Sequence, residues 1–168
     1  MSSLNRTGSL SPAWAKPLAA ILFSLTLSLG HLAAKAATTE LFVSDWQTGI
    51  ALYGFDPVAF FVDHRPRRGS ASFEAEYAGA VFRFTNAGNR AAFKANPEIY
   101  IPRFGGYDPR AVARGSPAPG FPSQFVLRDN QLFFFSSETS KAYFLANAGE
   151  VIAAAEAAWP RVKRGLVH

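Results

Sequence analysis

Apolar and polar side chains alternate along one stretch of this chain, and a second stretch is apolar on both faces. In Ser72 to Thr85, Phe73, Ala75 and Tyr77 alternate with Glu74 and Glu76. After Ala78-Gly79 the alternation resumes, with Phe82 and Phe84 on one face and Val81 and Arg83 on the other. A period of two, interrupted by a two-residue break containing glycine, predicts a β-hairpin. QFVLRDNQLFFFS (Gln124 to Ser136) predicts a second hairpin around Asp129-Asn130, with Phe133 and Phe135 on one face and Phe134 on the other. Aromatic residues on both faces point to core, or to an apolar ligand groove.

Helical stretches follow each hairpin. Thr85 or Asn86 caps AGNRAAFKAN, which stops at Pro97. Ser136 or Ser137 opens ETSKAYFLANAGEVIAAAEAAW, with breaks available at Asn147 and Gly149. Pro160 is expected to end it, and the cations of RVKR suit its negative end. Pro57 to Asp63 fits a helical turn or a buried strand. Residues 37–52 read as a strand or short helix with Trp46 packed down, and Gly115 to Gln124 as a rigid Pro-Gly loop. The expected fold is α+β: a small antiparallel sheet built from two β-hairpins, with helices packed on one face.

The chain start has a different pattern. A polar stretch with Arg6 and Lys16 precedes the apolar run Leu18 to Leu29, and Ala34-Lys35-Ala36 follows. This is the order of a secretory signal, with cleavage expected after Ala36. The apolar run is shorter than the roughly 20 residues that span a bilayer. Residues 1–36 are therefore expected to leave, residues 37–168 to form one domain without a stable membrane span, and the location to be periplasmic or secreted.

Removal of that segment changes the charge and the sulfur content. The whole chain has 17 basic and 12 acidic residues. Arg6, Lys16 and Lys35 lie in residues 1–36 and no acid does, which leaves 14 and 12. The basic balance thus belongs to targeting and gives no reason to expect nucleic acid as a partner. There is no Cys, and the one Met is Met1. The domain relies on its core, for which 16 Phe in the chain supply much of the apolar area.

Gly-aromatic-Asp-Pro occurs twice, as Gly54-Phe55-Asp56-Pro57 and Gly106-Tyr107-Asp108-Pro109. Asp is a good helix N-cap and Pro suits the first helical position, so each fits a capped turn. Pro109 to Arg114 fits a short helix stopped by Gly115. The flanking residues do not match by eye, so two separate capped turns are expected and not a duplication.

Motifs for catalysis are few. His64 and His168 are the histidines after residue 36. No zinc-hydrolase pair, Cys nucleophile, Gly-x-Ser-x-Gly elbow or phosphate loop is present. Glu74 and Glu76 share a strand face, which suits an acid–base pair or, more simply, a solvent face. Arg65, Arg67 and Arg68 around Pro66 suit a solvated loop or an acidic partner.

The ordered series Tyr53-Gly54-Phe55-Asp56-Pro57-Val58-Ala59-Phe60-Phe61, Phe73, Tyr77, Gly79, Phe82, Phe84, Asn89-Arg90, Phe93, Asn96-Pro97-Glu98, Tyr100, Pro102, Phe104-Gly105-Gly106-Tyr107, Pro119-Gly120, Pro122 and Trp159-Pro160 resembles the YHS-domain family in its exported bacterial form. The resemblance implies a metal-binding module. Where such proteins commonly continue Gly-Gly-Tyr with Cys, this chain has Asp108. Soft ions prefer thiolate or thioether, so thiolate-bound metal is not expected. A hard divalent ion on Asp108, with Asp56 or His64, is the metal these residues leave open. The expected function is an exported, non-enzymatic module for a small ligand or metal ion, with a pocket near Tyr53, Asp56, Tyr107 and Asp108. The alternative is a structural or interaction protein, with a protein partner, that has lost its metal site.

Overall fold

A computed structural model describes residues 41–166. The expected signal segment with its Ala36 cleavage position, and His168, lie outside the described residues. In chain order come helix α1 (Ala59–Val62), strands β1 (Ser70–Tyr77) and β2 (Ala80–Phe84), and helices α2 (Ala87–Ala95), α3 (Pro97–Tyr100) and α4 (Pro109–Ala113). Strands β3 (Phe121–Arg128) and β4 (Gln131–Phe135) and helix α5 (Glu138–Leu166) follow. The class is α+β. β1 pairs antiparallel with β2, and β3 with β4, as two separate two-stranded sheets. Ala78-Gly79 (φ 49° and 78°) and Asp129-Asn130 (φ 50° and 56°) make the two hairpin turns. Positive φ at both central residues gives the turn whose twist matches that of the strands.

The registers correct the expectation that the chain holds no duplication. Ser70↔Phe84, Glu74↔Arg83, Ala75↔Phe82 and Tyr77↔Ala80 in the first hairpin recur as Phe121↔Phe135, Phe125↔Phe134, Val126↔Phe133 and Arg128↔Gln131 in the second. Every partner is displaced by 51 residues (Ser70 to Phe121), and the bulge falls at the same place in both. A left-handed turn precedes each hairpin: Leu52-Tyr53-Gly54 at φ 53°, 55° and 76°, and Phe104-Gly105-Gly106 at φ 54°, 63° and 89°. This conformation costs a non-glycine residue about 1–2 kcal/mol. Burial of the Leu52 and Phe104 side chains offsets it.

A helix follows each hairpin and sets one Phe against two strand rings. Phe93 lies 4.9 Å from Phe82 and 5.0 Å from Phe84, and Phe144 lies 5.0 Å from Phe133 and 4.9 Å from Phe135. Gly69 and Gly120, also 51 apart, pass against the backbone of β2 and β4. A Cβ there would stand 2.4 Å from the Arg83 carbonyl carbon and 2.7 Å from that of Phe134, so only glycine fits. The chain between Asp56 and β1 is one residue longer than its counterpart. Asp56 N–H donates to the Arg67 carbonyl, but Asp108 N–H donates to that of Ala118.

Three local expectations are corrected. Trp46 is not packed down. It is 88% exposed on a turn where the Asp45 carboxylate accepts from Gln47 N–H, Thr48 N–H and Thr48 Oγ1. The loop after Gly115 ends earlier than expected, and β3 already begins at Phe121. Pro160 does not end α5, which runs to Leu166. Pro160 removes one helical donor, but Val151, Ala155, Ala158, Val162 and Leu166 keep a buried stripe through it. Asn147 (φ −134°) does kink the helix.

Candidate functional site

Asp56 and Asp108 are both buried, 0% and 1% exposed. Each follows its left-handed turn by two residues. Asp108 caps α4, the role the sequence suggests, whereas Asp56 closes the Pro57-Val58 turn that leads into α1, whose N-cap is Val58. The Asp56 Oδ1 accepts from Val58 N–H (2.9 Å) and Ala59 N–H (3.3 Å). Its Oδ2 accepts from Thr85 N–H (2.8 Å), Thr85 Oγ1 (2.8 Å) and Asn89 Nδ2 (2.7 Å). The Asp108 Oδ1 accepts from Arg110 N–H (2.9 Å) and Ser140 Oγ (2.8 Å). Its Oδ2 accepts from Ser136 N–H (2.9 Å) and Ser136 Oγ (2.6 Å). Thr85 and Ser136, and Asn89 and Ser140, are equivalent positions 51 residues apart. Each aspartate therefore ties its turn to the end of the second strand and to the next helix. Local sequence rules give no sign of this long-range half of the role. Thr85 is consequently not the cap of α2; Asn86 is, accepting from Asn89 N–H.

These contacts decide the fit of a metal. A carboxylate has about four lone-pair directions, and the donors on Asp56 and on Asp108 occupy them. An ion would have to displace charge-assisted hydrogen bonds inside the protein. Sulfur ligands are absent from the chain after Met1. Among the described residues, no group of three or more His, Asp or Glu converges as a metal site would require. The donor set does not suit a metal.

Of the other expected site residues, Tyr53 and His64 are not joined to either aspartate by a hydrogen bond or ion pair among the described residues. His64 is exposed in the turn after α1, at φ 52°. Tyr53 stacks on Phe121 with ring centroids 5.9 Å apart. Burial, and then the charge of Asp45, push its phenol above the usual range. Tyr107 is buried with its ring 6.3 Å from Trp159. Glu74 pairs with Arg83 at 2.8 Å and Glu76 is exposed, so the two glutamates form a solvent face. Arg65 is exposed, Arg67 lies 3.7 Å from Asp63, and the Arg68 guanidinium lies over the Phe55 ring at 4.7 Å.

A concave site lies elsewhere. A groove of about 470 Å³ is bounded by Phe42 and Tyr77, by Pro102 to Gly105, and by Trp159 and Lys163 of α5. That volume is in the range of small-molecule sites. Its floor is aromatic. Trp159 meets the Phe104 ring edge-on at 5.8 Å, and Phe42 lies 6.4 Å from Tyr77. The strained Phe104-Gly105 turn shapes one wall. At Gly105 a Cβ would fall 1.8 Å from the Leu41 carbonyl oxygen, so the turn can sit this close to the chain only as glycine. Arg103 donates to Glu156 at 2.5 Å across the rim. The sequence offers Phe104, Gly105 and Trp159 only as members of a resembling series, and gives no signal that Arg103, Glu156 and Lys163 meet there. Comparison with known protein families, with curated proteins and with solved structures finds no match.

Proposed function

We propose that this chain is an exported, non-enzymatic module on a YHS-like scaffold that binds a small ligand in the groove beside Trp159. The observation that carries the reading is the groove itself. It combines an aromatic floor, a charged rim and a wall made from a strained turn, and strained backbone gathers at ligand sites. The two aspartates serve as internal latches in this reading and not as ligand groups. Export rests on the composition of residues 1–36, and the scaffold on the ordered resemblance.

A second reading has one observation in its favour. All of the Asp108 carboxylate is engaged by protein donors, as suits a structural or interaction protein that has lost a metal site. A thermal-shift screen of small molecules against the exported protein separates the two. The binding module is expected to yield ligands whose shift disappears in Trp159→Ala and persists in Trp46→Ala. Shifts that survive Trp159→Ala, or a protein partner captured with no small ligand, would support the second reading instead.

A further inference from the structure

Arg103 and Glu156 neutralise each other across the groove rim. Two more charged residues line the same groove, Glu98 from α3 and Lys163 from α5. Both are exposed, and neither enters an ion pair among the described residues. A bound molecule thus meets one free carboxylate and one free ammonium above an aromatic floor. An anion alone would leave Glu98 repelling it, a cation alone would leave Lys163 repelling it, and a neutral apolar molecule would use neither. Rim charges chiefly set which partner is accepted.

Resting on the groove as the binding site, we infer that the ligand is a zwitterion with an aromatic side chain, of the size of an amino acid or dipeptide. Its carboxylate faces Lys163, its ammonium faces Glu98, and its ring packs against Trp159. The Trp159 ring already tolerates edge-on and tilted neighbours in Phe104 and Tyr107, an arrangement aromatic pairs prefer. A volume of about 470 Å³ admits such a molecule. Glu98 also lines two smaller hollows of about 320 and 330 Å³, which leave room for a longer peptide to continue past the ammonium end.

The test is calorimetric titration of the exported protein with three probes: L-phenylalanyl-L-phenylalanine, its N-acetyl form and its C-terminal amide. The free dipeptide is expected to bind, and blocking either end to weaken it about two- to fivefold, the range for exposed ion pairs. Glu98→Gln should lower the affinity of the free dipeptide without further weakening the N-acetyl form, and Lys163→Gln should do the same for the amide. Equal binding of all three probes would overturn the zwitterion while leaving the groove in use. If no probe binds but an uncharged aromatic molecule shifts melting through Trp159, the zwitterion falls and the groove reading stands. If nothing binds through Trp159, both fall.

Discussion

The two halves of the molecule share a frame and differ in what covers it. In the first half, Glu74 and Arg83 face each other across the hairpin and form a part-exposed pair at 2.8 Å. The equivalent residues of the second half are Phe125 and Phe134. There Phe60 of α1 packs on both rings, at 5.0 and 5.2 Å. The inner faces, by contrast, are the same in both, with Phe93 or Phe144 seated on two strand aromatics. The outer face of a hairpin therefore follows its neighbour: apolar where a helix covers it, charged where water does. The aspartate latch recurs with changed partners, Thr85 and Asn89 in one half and Ser136 and Ser140 in the other. A buried carboxylate needs donors, and hydroxyl, amide and backbone N–H all serve.

Exchanging the outer faces should break this comparison most strongly. Phe134→Arg would bury an unpaired charge against Phe60, and a loss of at least about 4 kcal/mol is expected by urea unfolding. The reciprocal Arg83→Phe should stay within about 1 kcal/mol, because its site is part-exposed. Next come the latches. Asp56→Ala and Asp108→Ala each strand several buried donors, and each should lose about 3 kcal/mol. If the two latches are equivalent, the losses should agree within about 1 kcal/mol. A much smaller effect falls on Glu74→Ala, expected at under about 1 kcal/mol and to shrink further in high salt. The smallest concerns Tyr53, which stands where the second half has Gly105. Its folded-state phenol titrates above the usual range because burial favours the neutral form. Its contribution to stability is thus fully present below the ordinary tyrosine range and declines as pH rises through it. A spectrophotometric titration of Tyr53→Phe should lack a late-ionising component present in the parent protein.

Much of this frame is legible in the sequence, because it depends on local rules. Alternation places the first hairpin, Asp129-Asn130 between two apolar stretches places the second, and Asp-Pro marks two turns that lead into helices. The repeat was hidden for physical reasons. One residue is missing between Asp108 and β3, so no single offset aligns the halves. The outer-face positions also differ in kind, being charged in one half and aromatic in the other. What persists is sparse: Gly69 and Gly120, Phe82-x-Phe84-Thr85 and Phe133-x-Phe135-Ser136, Phe93 and Phe144. Trp46 lies near an apolar run, which by local rule assigns it to the core, whereas the Asp45 turn lifts it outward. By local rule Pro160 ends a helix, but the buried stripe beyond it carries α5 on. The groove was illegible because its walls come from β1, α3, the Phe104 turn and α5, and only tertiary packing brings Glu98, Arg103 and Lys163 together.

The most direct test of the latch assignment is a double-mutant cycle on unfolding free energy, combining Asp108→Ala with Ser136→Ala. If the carboxylate is held by these donors, the loss from Asp108→Ala should shrink by at least about 1 kcal/mol once Ser136 is already alanine. Strictly additive losses, or an Asp108→Ala protein as stable as the parent, would contradict the assignment.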